Sequence, residues 1–261
     1  MSTRSKAFIL ALSILIPTAC DAGTAGGSHD AVPTPAHEPN SDTFAANAAV
    51  LSHRWFAPVD VDLDAPAIQA VRAYHESNNL YWSTGEIDSG YPGYGDLYQG
   101  PVAHHINPYR RTGTIDEHVL DVRIVDDGQG HAVTHVSFCE DRSGTAEPTG
   151  GTWTVRETNG GLIVLLVSAT ENSTTPIVVD VTRRIPYPTW DAFDGWTITD
   201  TLGNLDFTPT VGSADSDALL RQCLYAQPRL NPDVESGDVL TAAPVVETPV
   251  PGWPTEIGAS G

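Results

Sequence analysis

The segment Leu162-Ile163-Val164-Leu165-Leu166-Val167 is apolar at every position, so the side chains above and below the strand both need cover. A strand is dry on both faces only when it lies inside a sheet and another layer packs on it. This run is therefore expected to be a central strand covered by helix on one side. Turn signals bracket it, Asn159-Gly160 before and Asn172 to Pro176 after.

The neighbouring segments agree with a sheet. From Glu117 the period is two, with Leu120, Val122 and Ile124 alternating with Asp121, Arg123 and Val125. Asp126, Asp127, Gly128, Gln129 and Gly130 then form a tight turn, and His131 to Cys139 returns as the second strand of a hairpin. Further strands are expected at Thr152 to Glu157, at Ile177 to Arg183 and from Trp196 onward. Ahead of them, Ile68, Val71, Tyr74, His75 and Leu80 suit a helix capped by Asp64, with Pro66 tolerable in the first turn. Ser213 to Leu224 suits a shorter helix carrying Cys223, whereas Gly85 to Pro108 is too rich in Gly, Pro and Tyr for a regular element. A helix followed by a mostly antiparallel sheet of about six strands is α+β.

Charge limits the partners. The chain of 261 residues has 33 acids against 13 Lys plus Arg, which argues against nucleic acid, because phosphate-backbone affinity comes from clustered cations. The only lysine is Lys6, so a Schiff-base lysine or a phosphate-loop lysine is lost with any cleaved leader. Residues 1 to 19 have the layout of a signal peptide: Arg4 and Lys6, then an apolar run from Ala7 to Ala19 that falls short of the roughly 20 residues a membrane span needs. With Thr18-Ala19-Cys20 at its end, the segment resembles a bacterial lipoprotein signal whose Cys20 becomes acylated and holds the protein on the membrane. Pro17 stands where a larger aliphatic residue is usual, so plain secretion is the alternative. Residues 20–52 then read as a tether, 53–230 as one domain, and 231–261, with five prolines, five acids and no cation, as a disordered acidic tail or an arm that docks Trp253.

Cys139 and Cys223 are the only other thiols. In an oxidising compartment such a pair forms a disulfide, and the rival readings, a metal site or a catalytic cysteine, lack an accompanying Cys-x-x-Cys or helical Cys/His pair.

Phe138-Cys139-Glu140-Asp141-Arg142-Ser143-Gly144, Arg183-Arg184, Gly195-Trp196-Thr197-Ile198-Thr199-Asp200 and Cys223, after a helix near 65 to 82, resemble exported actinobacterial proteins with a nuclear-transport-factor-2-like (NTF2-like, SnoaL-like, cystatin-like) domain. The resemblance covers about residues 60 to 225. It implies a cone, in which a curved sheet packs against N-terminal helices around a cavity, and a pairing of the cysteine after the valine-rich strand with the one beyond the Trp-containing strand. It assigns no activity.

Candidate chemistry follows from that cone. A general base inside an apolar cavity would be Asp121, His135 or His75, as in isomerases and cyclases; the bland alternative puts Asp121 and Arg123 on a solvated sheet face. Trp82, Tyr91, Tyr94 and Tyr98 are candidates for an aromatic ligand platform, or else pack over the cavity mouth. No metal or cofactor is expected: His131 and His135 stand about 13 Å apart along a strand, and the adjacent His104 and His105 rarely converge on one ion. The expected function is binding of a small apolar ligand or an envelope protein by an extracytoplasmic lipoprotein, with an isomerase- or cyclase-like enzyme as the alternative.

Overall fold

The computed structural model describes residues 50–97, 109–155, 162–172, 179–200, 218–219, 221–224 and 230–256. The architecture is α+β, with a mostly antiparallel sheet, few helices and one disulfide. The apolar run lies in β6 (Leu162–Glu171), which is antiparallel to β3 (Ala132–Asp141) on one side and to β8 (Trp196–Asp200) on the other. Both of its faces are covered, as its composition requires. Leu165, Val167 and Ala169 pack with Ile68 and Val71 of helix α1 (Pro66–Thr84), while Val164 and Leu166 join Leu120, Leu219 and the Cys139–Cys223 disulfide. The Cα atoms of the bridged cysteines are 5.3 Å apart, within the usual disulfide range.

Helix α1 ends where Gly85 adopts φ +81° and donates its N–H to Tyr81 O. Its start differs from expectation. Ala65 occupies the cap position with no side-chain bond, because the Asp64 carboxylate takes the Arg184 guanidinium in a two-point ion pair at 2.7 and 2.6 Å. A charge-assisted fork outcompetes a single backbone bond for that carboxylate.

The hairpin is present, but its first strand is longer than its alternating part. Strand β2 (Thr112–Asp126) pairs with β3, and Asp126 and Asp127 fold the turn by accepting the amides of Gly128 and Gln129. Within β2 the register shifts between Val119 and Asp121, so Leu120 is an extra residue. Such a bulge reverses which parity faces the core. Val119 and Val122 both pack with α1, and Leu120 joins the opposite face.

The sheet order is β8-β6-β3-β2, then β4 (Thr145–Thr149), β5 (Thr152–Thr154) and β9 (Val239–Leu240), with β1 (Leu51–Phe56) running parallel to β2. Strands β4 and β5 form a short hairpin. Strand β7 (Val179–Ile185) leaves the main sheet and pairs with β10 (Trp253–Glu256). The fold therefore takes in chain beyond both expected limits of 53 and 230. The segment expected as a disordered tail or an arm that docks Trp253 includes β9 against β5, and it buries Trp253 completely. Its composition lacks a core of its own, but backbone pairing and one buried indole tie it to the rest. Among the described residues no helix is long and apolar enough to cross a membrane. The expected leader, Cys20 and the Asn159-Gly160 turn lie outside them.

One backbone position is sensitive. Gly113 pairs with Leu51 and Thr145 at φ +126°, and a Cβ there would lie 2.1 Å from Gly144 O. Gly113→Ala is expected to cost at least about 1–3 kcal/mol for the unfavourable φ alone. Urea unfolding would report this as a lower midpoint; an unchanged midpoint would contradict the close approach of β2 to Gly144.

Candidate functional site

The most unusual feature of the interior is a pair of acids facing each other. Glu117 of β2 and Glu140 of β3 are direct cross-strand partners, both fully buried on the α1 side. Like charges so placed repel, and three other elements bring groups that offset this. From α1, His75 Nε2 lies 2.9 Å from Glu117 Oε1 and 2.7 Å from Glu140 Oε2. From β1, His53 Nδ1 lies 3.1 Å from the same Glu117 oxygen. Asn79, one turn beyond His75, donates its amide to Glu140 Oε2 at 2.9 Å, and Arg142 of the turn after β3 ion-pairs Glu140 Oε1 while donating to Asn79 Oδ1. The rings of Phe138, Trp55 and His53 stand roughly perpendicular to that of His75.

The electrostatics follow from that packing. Burial opposes a charge on His75, but the Glu117 and Glu140 carboxylates outweigh it and push the imidazole up to about 10. Burial likewise opposes charge on Glu140, yet Arg142 and His75 hold it well below the ordinary carboxylate range. Two buried atoms of the cluster, His53 Nε2 and Glu117 Oε2, have no hydrogen-bond partner among the described residues.

A second buried carboxylate organises the other half of α1. Glu76 accepts three donors: Trp55 Nε1 at 2.8 Å, Tyr91 OH at 2.5 Å and Trp253 Nε1 at 3.2 Å. Arg72, one turn earlier, lies with its guanidinium 4.4 Å from the Trp253 ring and 5.8 Å from that of Trp55, and donates to Leu63 O and Gly252 O. Burial lowers its pKa, and Glu76 and then Asp64 counter that.

The expected site residues scatter. Asp121 and His135 lie on the sheet face away from α1, where Asp121 pairs with Arg123 at 2.5 Å and His135 bonds Ser168 at 2.6 Å. Neither is a base in a cavity, because the alternation that placed them opposite Val122 holds for that part of the strand. His75 alone of the three is interior. Tyr91 is bonded to Glu76, and Tyr94 is fully buried with its hydroxyl on Asn78, so both belong to the packing rather than to an open platform. Trp82, 36% exposed, stacks on Tyr109. Tyr98, His104 and His105 lie outside the described residues. His131 bonds Asp127 on the hairpin turn.

Among the described residues, His53, His75 and Glu117 bring three donor atoms within 4.8 Å of one another. Sequence reading missed His53 and Glu117, and it weighed Glu140 only as part of a polar cluster with Asp141 and Arg142 or a turn cap at the strand end. The clue available was the odd parity that Glu117 shares with Val119, but an unbulged strand would have turned both outward.

The structure also has an open cleft of about 570 Å³, lined by Thr114, Gly144, Leu230, Leu240 and Val245 among others, and none of the cluster residues His53, His75, Glu117 and Glu140 lines it. Its walls are pinned by Leu230 N on Asp141, Asn231 N on Ser143 and Thr114 Oγ1 on Val245 O. Comparison with protein-family models, with curated proteins and with solved structures finds no match for the chain in any of the three.

Proposed function

We propose that the chain is an extracytoplasmic lipoprotein held on the membrane through acylated Cys20, and that its NTF2-like domain binds a small apolar ligand. The buried disulfide favours an oxidising compartment, and a long helix packed on one face of a mostly antiparallel sheet suits the cone family. The observation that carries the binding reading is the cleft, where Leu230, Val234 and Leu240 meet a solvent-open volume of about 570 Å³. The alternative, an isomerase or cyclase with an Asp or His base, fits less well. Asp121 and His135 are on the outer face, and His75 is held between two carboxylates.

Native mass spectrometry of the purified chain tests this reading. An added mass is expected on the wild type, and Ala242→Trp, which fills the cleft from an exposed position, is expected to weaken retention at least about tenfold, the loss of roughly 1.4 kcal/mol, with an unchanged melting temperature. Retention that ignores Ala242→Trp would rule out the cleft, and a bare mass after incubation with a lipid and hydrophobe panel would leave a purely structural role.

A further inference from the structure

We infer that His53, His75 and Glu117, with Glu140 beside them, form a binding site for one divalent transition-metal ion of the zinc type, independent of the cleft. His53, His75 and Glu117 come from three elements, β1, α1 and β2, and their donor atoms lie within 4.8 Å of one another, with Glu140 of β3 against His75. Both imidazole nitrogens address the same oxygen, Glu117 Oε1, at 3.1 and 2.9 Å, and Glu140 Oε2 is 2.7 Å from His75 Nε2.

Protons alone satisfy this arrangement poorly. His75 Nε2 has at most one hydrogen, yet it faces two carboxylate oxygens, and the Asn79 amide nitrogen, itself a donor, stands 3.2 Å away. Glu117 Oε2 is buried without a partner, and buried polar atoms are ordinarily satisfied. A cation among these atoms changes the balance. Four ligands at bonds of about 2.0–2.1 Å around a tetrahedral ion stand roughly 3.3 Å apart, so the three contacts at 2.7, 2.9 and 3.1 Å need to open by about 0.2–0.6 Å. Glu117 can turn its unpartnered oxygen to the ion, and Asn79 and Arg142 already orient Glu140 as outer partners do. Imidazole with carboxylate selects a first-row transition ion over Ca²⁺ or Mg²⁺, which prefer all-oxygen sites. The ion takes the place of the proton on His75, so the paired acids keep a counter-charge. His53 and His75 are only 4% and 5% exposed, so loading accompanies folding.

The test uses the full chain, unfolded in chelator and refolded with or without Zn²⁺ or Co²⁺. One ion per chain is expected by equilibrium dialysis and elemental analysis, with a higher melting temperature and the visible bands of four-coordinate Co²⁺. His53→Gln and Glu117→Gln are each expected to weaken affinity by more than about 100-fold, since even loss of an outer partner costs 10–100-fold, whereas His135→Gln should leave it unchanged. If the variants do not fold, the wild-type stoichiometry and Co²⁺ spectrum decide. A wild type that refolds and leaves Co²⁺ with its aqueous spectrum overturns the proposal, as does stoichiometric binding that survives both ligand substitutions.

Discussion

Glu76→Gln is expected to lower the free energy of unfolding by about 3–5 kcal/mol, the usual consequence of removing one partner from a buried charged network. The carboxylate holds two indole N–H groups and a phenol from three separate parts of the chain, at Trp55, Tyr91 and Trp253. A glutamine offers one acceptor oxygen and sets an amide donor against those donors. It also withdraws the nearest charge compensating Arg72, which is fully buried between Trp55 and Trp253. The C-terminal segment should suffer most, because Trp253 is its buried anchor. Urea unfolding would show a lower midpoint, and brief proteolysis should cut the variant in the exposed stretch 245–248 at conditions the wild type survives. Tyr91→Phe removes one donor and orphans nothing, so about 1 kcal/mol is expected there. A Glu76→Gln protein as stable and protease-resistant as the wild type would show that the three bonds do not anchor the strand.

The second large effect is expected from Cys139→Ala with Cys223→Ala. The cysteines are 84 residues apart in sequence, and closing a loop of that length stabilises by about 4–5 kcal/mol in the chain-entropy model, with measured values often smaller. The bridge also packs against Leu120, Val164 and Leu219, so the dry outer face of β6 depends on it. The double variant should unfold at a clearly lower urea concentration, and wild-type protein denatured with reductant should refold with the same deficit until reoxidised. Equal midpoints for oxidised and reduced protein would mean that the side-chain cluster alone holds the helical residues 221–224 on the sheet.

The elements that proved legible are those specified within a dozen residues. β6 could be recognised because six consecutive apolar residues leave few other places to go, the hairpin because Asp and Gly cluster between two alternating runs, and α1 because its apolar positions recur at helical spacing and stop at Gly85. The disulfide needed only two thiols and the expectation of an oxidising compartment. Three other features could not be read this way. Strand β1 depends on a parallel partner 62 residues away, with Arg54 paired to Asp116 in a two-point ion pair. The segment after residue 230 has the composition of a solvated tail with Trp253 as its one docking candidate, and it is ordered by a sheet edge and by Glu76, which lie elsewhere in the chain. The bulge at Leu120 decides whether Glu117 faces water or His75.

The candidate site shows the same division more sharply. By itself the sequence determined the chemical inventory: an acidic chain with Lys6 as its only lysine, one thiol pair within the folded domain, and histidines that no local spacing could bring onto one ion. Only the tertiary structure decided which of them meet. His53, His75 and Glu117, with Glu140 against His75, span 88 residues and four elements, and they meet through one extra residue in β2 together with the docking of α1. Period and turn chemistry are set by neighbours along the chain and can be read there. A strand's register and the burial of a charge are set by free-energy differences among distant contacts, which become defined once the layers have packed.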